Sequence, residues 1–195
     1  QLELISFKLC PFVQRSVITL KHKGVPFDTT FIQLDDPPAW FGEVSPLGKV
    51  PVLKVDDTVL FESAVINEFR DESFGERMLS DDALERAQQR AWIELGAAGI
   101  FAMFGAITAP EEAGSTAKRE ELAKLFGHLE RQLAKAPPAP FFSGAELSLV
   151  DTAFAPLFQR LFALPESIVD WDAVPTVRRW AERLVEEPVV RDSLP

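Results

Sequence analysis

The sequence predicts two domains: a mixed α/β domain with the element order βαβαββα, followed by an all-helical domain. Short β-branched runs alternate with helical periodicity through the first 75 residues. Long amphipathic patterns then occupy the chain from residue 82 onward. The composition, 47% hydrophobic and 26% charged, is typical of a globular protein. We therefore expect one domain over residues 1–75 and a second over 82–195, joined near residues 72–81.

The first domain opens with a strand, a helix and a second strand. Residues 2–8 form a short β-like run, and residues 11–23 carry apolar side chains at helical spacing. Residues 27–34 are rich in β-branched and aromatic side chains and are predicted to form the second strand. A turn at residues 24–26 precedes it.

The same domain closes with a β-hairpin and a helix. Residues 38–44 predict one or two helical turns. Residues 52–55 and 58–61 are predicted strands, joined by a two-residue aspartate turn. Residues 63–71 follow as a helix, for which Ser63 is the expected N-cap.

The second domain is predicted to contain helices only. A run of prolines and alanine at residues 137–140 excludes helix there and predicts a loop. The expected helices cover residues 82–107, 115–136, 148–164 and 176–187.

The composition argues against several function classes. The net charge of −10 argues against nucleic acid, because phosphates repel an acidic protein that has no basic patch. No apolar run approaches a membrane span and no signal segment is recognised, so we expect a cytoplasmic protein. His22 and His128 lack metal-ligand spacing, and no metal site is expected.

Cys10 is the only cysteine, which excludes an intrachain disulfide and suits a reducing compartment. It stands where the first helix begins, and Pro11 follows in the first turn, where a missing N–H costs nothing. The sulfur is therefore expected at the positive end of the helix, near the unsatisfied amides of Phe12 and Val13. This position favours the thiolate, which is the nucleophilic form of cysteine.

Two interpretations of Cys10 stay open from its position alone. It is either a reactive thiolate near Lys8 and Arg15, or a small buried apolar side chain. A dithiol motif would place a second cysteine three positions on, where the chain has Val13. A redox cycle would therefore need an outside thiol to resolve its intermediate, and glutathione is the abundant candidate.

Two further segments predict a peptide-binding groove. Residues 45–53 contain a Pro-x-Gly turn, the cation Lys49 and then Val50-Pro51 at the start of a strand. This arrangement exposes the N–H and C=O of Val50 to an edge-binding peptide. Glu62 and Ser63 place a carboxylate and a hydroxyl at a helix start. Helix amides there bind a ligand carboxylate, and Glu62 lies near a ligand ammonium. Taken singly, Ser63 also fits a plain N-cap and Glu62 a surface charge.

In combination, these motifs resemble the cytosolic glutathione transferase superfamily over almost the whole chain. Their order and spacing together are specific to that family. The matching elements are Cys10-Pro11-Phe12, Pro46-x-Gly48-Lys49-Val50-Pro51, Glu62-Ser63, the capping box Ser148-Leu149-Val150-Asp151, and Val174-Pro175-x-Val177-x-x-Trp180.

The resemblance implies a thioredoxin-like N-terminal domain that binds glutathione, and a helical domain that supplies the pocket for the second substrate. Carried over by position, Val50 pairs its backbone with the cysteinyl part of glutathione. Glu62 and Ser63 hold the γ-glutamyl end, and Lys49 meets the glycyl carboxylate. Phe12 is expected beside the bound tripeptide. The family resemblance also implies a homodimer.

Cys10 takes the position of the family's catalytic residue, which is tyrosine or serine in many classes. The chain has no tyrosine and resembles the omega-like cysteine classes, which include dehydroascorbate reductases and glutathionyl lyases. It departs from omega members at Pro37, where they carry a lysine before the Trp40-Phe41 segment. A cysteine at this position implies thiol transfer, deglutathionylation or dehydroascorbate-type reduction with glutathione as co-substrate, and weak conjugation of aryl halides.

Several phenylalanines are candidates for the substrate pocket, although most of the 16 are expected in the core. Trp92 and Trp180 are expected to be packing anchors, and Ser148 and Asp151 to be structural. The pocket candidates are Phe12, Phe101, Phe104, Phe158 and Phe162.

The competing hypothesis is a regulatory or interaction protein on the same fold, without enzymatic activity. The intact set of polar site residues favours an enzyme, because a decayed site would have lost at least one member. A glutaredoxin-like redox protein is disfavoured by the helical half of the chain, which that fold lacks.

Overall fold

Contacts divide the chain into two compact units. The computed structural model describes residues 1–194. One unit contains residues 1–79 together with 188–194, and the other contains residues 80–187. The predicted helical domain extended to residue 195. The structure instead groups residues 188–194 with the first unit, where Gln14 and Lys21 hold them by hydrogen bonds.

The first unit has the predicted order βαβαββα. The hairpin strands have the predicted limits, whereas the first two strands are shorter than expected, because their pairing ends at Ser6 and Phe31. In chain order the elements are β1 (Leu2–Ser6), α1 (Pro11–His22), β2 (Asp28–Phe31), α2 (Phe41–Val44), β3 (Val52–Val55), β4 (Thr58–Phe61) and α3 (Ser63–Ser73).

The strands form one mixed sheet in the order β2-β1-β3-β4. β1 runs parallel to β2 and antiparallel to β3, and β3 runs antiparallel to β4. The central strands are apolar, and Leu4, Ile5, Val52 and Leu53 are fully buried in the core of the unit. Burial of such side chains is the main favourable contribution to folding.

The register places three chain segments at one edge of the sheet. Ile5 pairs with Val52, and Val52 pairs with Phe61. The C-terminal end of β1, the N-terminal end of β3 and the C-terminal end of β4 therefore lie side by side, as antiparallel neighbours require.

The second unit is helical, as predicted. Its helices are α4 (Ala83–Thr108), α5 (Glu112–Leu133), α6 (Leu149–Ala163) and α7 (Pro175–Val185). Helix α4 packs against α5 and α6, and α7 packs against the same two helices. Short 3-10 turns at Glu166–Ile168 and Trp171–Ala173 lie between α6 and α7.

A capping box begins α6, as the sequence predicts. The Ser148 amide and hydroxyl donate to Asp151 Oδ2 at 2.8 and 2.6 Å, and the Asp151 amide faces the Ser148 hydroxyl. Asp151 Oδ1 also accepts from the Phe142 amide at 2.9 Å and from Trp180 Nε1 at 2.8 Å. One buried carboxylate thus connects α6, α7 and the turn around residue 142.

Three features of the helices differ from the sequence predictions. Helix α5 begins at Glu112, three residues before the expected start. A short helix, α8 (Pro188–Arg191), was not predicted, and neither were the 3-10 turns, because they are too short to show a helical period.

Gly99 on α4 allows close packing, since a Cβ there would lie 2.8 Å from Leu157 Cδ2 on α6.

Helix α4 also differs from the expectation that no segment approaches a membrane span. By length and composition it is long and apolar enough to cross a membrane, with a mean hydropathy of 1.5 over an 18-residue window. In this structure it packs against α5 and α6, and buried core helices pass the same test.

Candidate active site

Cys10 occupies the N-cap position of α1. Its backbone is extended, Pro11 is the first helical residue, and no side-chain hydrogen bond caps the helix. The Cys10 amide donates to the Phe7 carbonyl at 3.2 Å, and its carbonyl accepts from the Gln14 amide at 3.0 Å. The half-buried side chain therefore stands at the positive end of a twelve-residue helix.

The residue before Cys10 has an unusual conformation. Leu9 adopts a φ of 68°, a left-handed region that leucine rarely enters, and its side chain is 67% exposed. Such backbone conformations persist where the surrounding structure enforces them, and they are frequent at functional sites.

The two basic residues near Cys10 lie over aromatic rings. Lys8 Nζ is 5.9 Å from the centroid of Phe31, and the Arg15 guanidinium is 5.1 Å from the centroid of Phe12. Phe12 is half-buried. The sequence left these side-chain directions open, and the structure assigns both cations to ring contacts.

Cys10 also lines a small cavity within the first unit, of about 160 Å³. The other lining residues come from α1, β2, the residues just before these two elements, and the C-terminal segment. Gln14 Nε2 donates to Ser193 Oγ at 2.8 Å across the cavity wall. The sequence analysis missed Gln14, Ser193 and Leu194, because no local pattern signals a contact over nearly 180 positions.

The turn before β3 is held by one serine. Ser45 Oγ accepts from the Lys49 amide at 2.9 Å and donates to the Lys49 carbonyl at 2.8 Å. Gly48 has a φ of 61°, which suits glycine, and the Lys49 side chain is exposed. The Val50-Pro51 peptide bond is cis, an isomer that the sequence left undecided.

Val50 has backbone groups available for pairing. Among residues 1–194, no hydrogen bond engages its amide or carbonyl. Likewise, within the described chain, the Lys49 ammonium makes no ion pair.

Glu62 and Ser63 stand where β4 ends and α3 begins, but not in the predicted capping arrangement. Glu62, rather than Ser63, has the N-cap position, with a φ of 70° and an exposed side chain. Ser63 is the first helical residue and is 6% exposed. Its hydroxyl bonds to no other residue of the described 194. The first amides of α3 also have no side-chain cap.

The sheet register brings the three N-terminal motifs to one edge. Cys10 follows the C-terminal end of β1, Val50 precedes the N-terminal end of β3, and Glu62 follows the C-terminal end of β4. A cysteine side chain, an unpaired peptide unit and an uncapped helix start therefore share that edge. Such an arrangement can hold an extended peptide against a thiol.

The predicted aromatic residues of the second unit lie in different environments. Phe101 on α4 is 62% exposed, and Phe104 on the same helix is half-buried. Phe162 stacks on Trp171 at a centroid distance of 4.9 Å.

Phe158 is fully buried, which corrects its prediction as a pocket residue. Its ring lies 4.9 Å from Trp180 and 5.7 Å from Phe154 by centroid distance, in the core of the helical unit. Helical spacing gives the same pattern for core and pocket positions, so the sequence could not separate them.

No group of three or more His, Cys, Asp or Glu side chains that could hold a metal ion occurs among residues 1–194.

Comparison with known proteins identifies the family. The family models described as "Glutathione S-transferase, N-terminal domain" and "Glutathione S-transferase, C-terminal domain" match residues 9–73 and 82–183. The chain is 34% identical over 193 residues to glutathione S-transferase omega-1 of Sus scrofa, covering 97% of this chain and 78% of that protein.

Solved structures give the same result. Glutathione transferase Omega 3C from Trametes versicolor has a TM-score of 0.86 at 25% identity, covering 98% of this chain and 88% of that one. Rice GST1, solved in complex with glutathione, has a TM-score of 0.87 at 25% identity, covering 100% and 90%. The four-stranded mixed sheet with its helices, the helical second unit and these matches place the chain in the glutathione S-transferase family.

Proposed function

We propose that this chain is a glutathione-dependent thiol transferase in which the Cys10 thiolate is the nucleophile. The observation that carries the proposal is the register Ile5–Val52–Phe61, which sets Cys10, Val50 and Glu62-Ser63 at one edge of the sheet. Similarity to an omega-1 transferase supports it.

Glutathione would lie along this edge as an extended peptide. The unpaired N–H and C=O of Val50 would bond to its cysteinyl part, as one strand bonds to another. The Ser63 hydroxyl and the first amides of α3 would receive the γ-glutamyl carboxylate, with Glu62 near the ammonium. Lys49, which has no acidic partner among residues 1–194, would meet the glycyl carboxylate.

Phe12 would bound the site beside Cys10. Within the helical unit, Phe101, Phe104 and Phe162 stay predicted contacts of the second substrate. Glutathione acts here as co-substrate. The rice relative was solved with glutathione bound, which supports the choice of ligand.

The chemistry proceeds in two exchange steps. The Cys10 thiolate attacks the glutathionyl sulfur of a mixed disulfide, the original S–S bond breaks, and the departing thiolate takes a proton. A second glutathione thiolate then attacks the Cys10–glutathione disulfide, which releases oxidised glutathione and restores the Cys10 thiolate. Because the chain has one cysteine, this second thiol must come from outside.

The helix N-terminus favours this reaction since it stabilises the anionic sulfur. A small oxidant of the dehydroascorbate type would be reduced by two glutathione molecules, which supply two electrons and two protons. Cys10 and the first glutathione would join in a mixed disulfide as the oxidant is reduced, and the second glutathione would release oxidised glutathione and restore Cys10. Conjugation of aryl halides would be weak, because the sulfur attacks directly rather than activating glutathione.

Replacement of Cys10 tests the proposal. We expect Cys10→Ser to lower the rate of glutathione-dependent reduction of hydroxyethyl disulfide by at least about 100-fold, because a hydroxyl does not form a disulfide. Retention on immobilised glutathione should persist. Unchanged disulfide reduction in the variant would overturn the role of Cys10. Retention on glutathione without any Cys10-dependent turnover of the wild type would favour the non-enzymatic alternative.

Two properties accompany the proposal. A reaction that consumes reduced glutathione suits a reducing compartment, and we assign the protein to the cytoplasm. A homodimer is expected from the family, and sedimentation analysis of the purified chain would test it.

A further inference from the structure

The helical unit contains a second cavity that the proposed thiol chemistry does not use. Its volume is about 420 Å³, within the range of small-molecule sites, and all of its lining residues lie between 85 and 180. They belong to the start of α4, the end of α5, the loop around residues 136–144 and the start of α7. None of the site residues predicted from the sequence lines it.

Three aromatic rings form a continuous wall of this cavity. The Trp92 and Phe142 centroids are 5.7 Å apart, and the Phe142 and Trp180 centroids are 5.4 Å apart. Asp151 fixes two of these residues, since it accepts hydrogen bonds from the Phe142 amide and from Trp180 Nε1. The wall is therefore held in place before any ligand arrives, which lowers the cost of binding.

Neighbouring arginines on α7 have different surroundings. Arg178 is held by Asp172 at 3.2 Å and Glu182 at 2.9 Å. Arg179 lines the cavity, and within residues 1–194 its guanidinium has no ion-pair or hydrogen-bond partner. One cation is thus neutralised by acids, whereas the other is available to a ligand.

Other polar groups of the lining are mixed in character. The Trp92 indole N–H and the Gln88 amide make no hydrogen bond with other residues of the described chain. Glu85 also lines the cavity, and its carboxylate accepts from Ser80 Oγ at 2.7 Å. The lining therefore has more hydrogen-bond donors without a partner than carboxylates. This suits a ligand that carries hydrogen-bond acceptors.

We propose that this cavity binds a planar aromatic carboxylate. The ring system would lie against the wall formed by Trp92, Phe142 and Trp180, because aromatic rings favour offset and edge contacts with one another. The carboxylate would accept from the Arg179 guanidinium, whose fork of donors matches its two oxygens. The site is distinct from Cys10 and independent of the proposed thiol transfer.

Calorimetric titration of the full chain with 2-naphthoate tests the proposal. We expect saturable one-to-one binding. Arg179→Gln should raise the Kd about tenfold, since a charge-assisted hydrogen bond of this kind is lost. The neutral analogue 2-naphthalenemethanol should bind the wild type about tenfold more weakly. Arg178→Gln is the matched control, because it removes the same charge from the adjacent position and should leave the Kd unchanged.

A second variant tests the cavity itself. Ala139→Trp places a large side chain at an exposed loop position of the lining and should abolish 2-naphthoate binding without loss of fold. Saturating glutathione should leave the Kd of the wild type unchanged.

Three results would overturn the proposal. One is the absence of saturable binding. Another is an equal effect of Arg178→Gln and Arg179→Gln, which would indicate general surface charge. The third is competition with glutathione, which would place 2-naphthoate at the glutathione site.

Discussion

Ser63 has two possible roles at the residue level, and they differ in what the hydroxyl contacts. A capping serine accepts a hydrogen bond from an amide of its own helix and contributes about 1 kcal/mol to stability. In this structure Glu62 has the N-cap position, and the Ser63 hydroxyl has no partner in residues 1–194. Its contribution to folding should therefore be small, and its contribution to ligand binding large.

This difference gives a prediction for Ser63→Ala. We expect the KM for glutathione to rise about tenfold, because a hydrogen bond to a charged carboxylate contributes about 1.5–3 kcal/mol. The free energy of unfolding should change by less than about 0.5 kcal/mol. Steady-state kinetics and urea unfolding measure the two quantities.

Ser73→Ala provides the control for this variant, because Ser73 is exposed at the opposite end of the same helix. It should change neither quantity. A stability loss near 1 kcal/mol in Ser63→Ala with an unchanged KM would instead identify Ser63 as a structural residue.

Cys10 and Phe158 show which properties of single residues could be predicted from the sequence and which could not. The position of Cys10 at a helix start follows from Pro11 and the change of periodicity, and the structure has it there. The burial of Phe158 does not follow from any local pattern, because its surroundings come from α5, α7 and the 3-10 turn at residue 171. Contacts between distant elements decide which apolar residues line a pocket.

Asp151 connects several elements of the helical unit through hydrogen bonds. This fully buried carboxylate accepts from Ser148, Phe142 and Trp180. Burial raises the pKa of Asp151 above the ordinary value, and the hydrogen bonds, that of the Ser148 hydroxyl foremost, act in the opposite direction. Removing the side chain would leave several buried donors without an acceptor.

We expect Asp151→Asn to destabilise the chain by about 2–4 kcal/mol, because an amide replaces one of the two acceptor oxygens. The loss should depend on pH. A raised carboxyl pKa stabilises the folded state most below the unfolded pKa of about 4, and that contribution falls as pH rises through the folded pKa. The gap between wild type and variant should therefore be widest at low pH and narrow as pH increases.

Urea unfolding across a pH series measures this gap, with Asp36→Asn as the control, because Asp36 is exposed. A gap that widens as pH rises would contradict the direction of the Asp151 pKa shift. A gap below about 0.5 kcal/mol at every pH would contradict the structural role of the network.

How well each helix or strand could be predicted from the sequence depended on its length and on its local pairing signals. The hairpin strands β3 and β4 are short, largely apolar runs joined by a two-residue aspartate turn, and their limits were predicted correctly. Helix α6 was recognisable from its capping box. Helix α8 has four residues, too few for a period, and its place beside α1 depends on contacts of Gln14 and Lys21 with the C-terminal segment.

At the scale of the whole molecule, the sheet topology unites motifs that are about fifty positions apart in the sequence. The family resemblance indicated that Cys10, Val50 and Glu62-Ser63 act together. The register of β1, β3 and β4 supports this expectation, since it sets their three ends at one edge. The two-residue turn between β3 and β4 fixes the register of that hairpin in the sequence. The pairing of β1 with β3 could not be predicted, because these strands are about fifty positions apart.

The same scale explains what the sequence could not supply. The 420 Å³ cavity is lined by residues from four separate segments of the helical unit. Only the start of α7 carries a motif recognised in the sequence, and that motif does not indicate a cavity. Its existence follows only from how α4, α5 and α7 pack around the loop at residues 136–144.

The central claim is that the wild-type sulfur at the start of α1 is a reactive anion next to a bound tripeptide. Intact-protein mass spectrometry after brief exposure to oxidised glutathione at about pH 5.5, where an ordinary thiol is almost fully protonated, tests it most directly. We predict rapid addition of one glutathionyl group at Cys10, and its complete removal by excess reduced glutathione. No adduct, or an adduct formed no faster than on an unfolded peptide containing the same cysteine, would contradict the account.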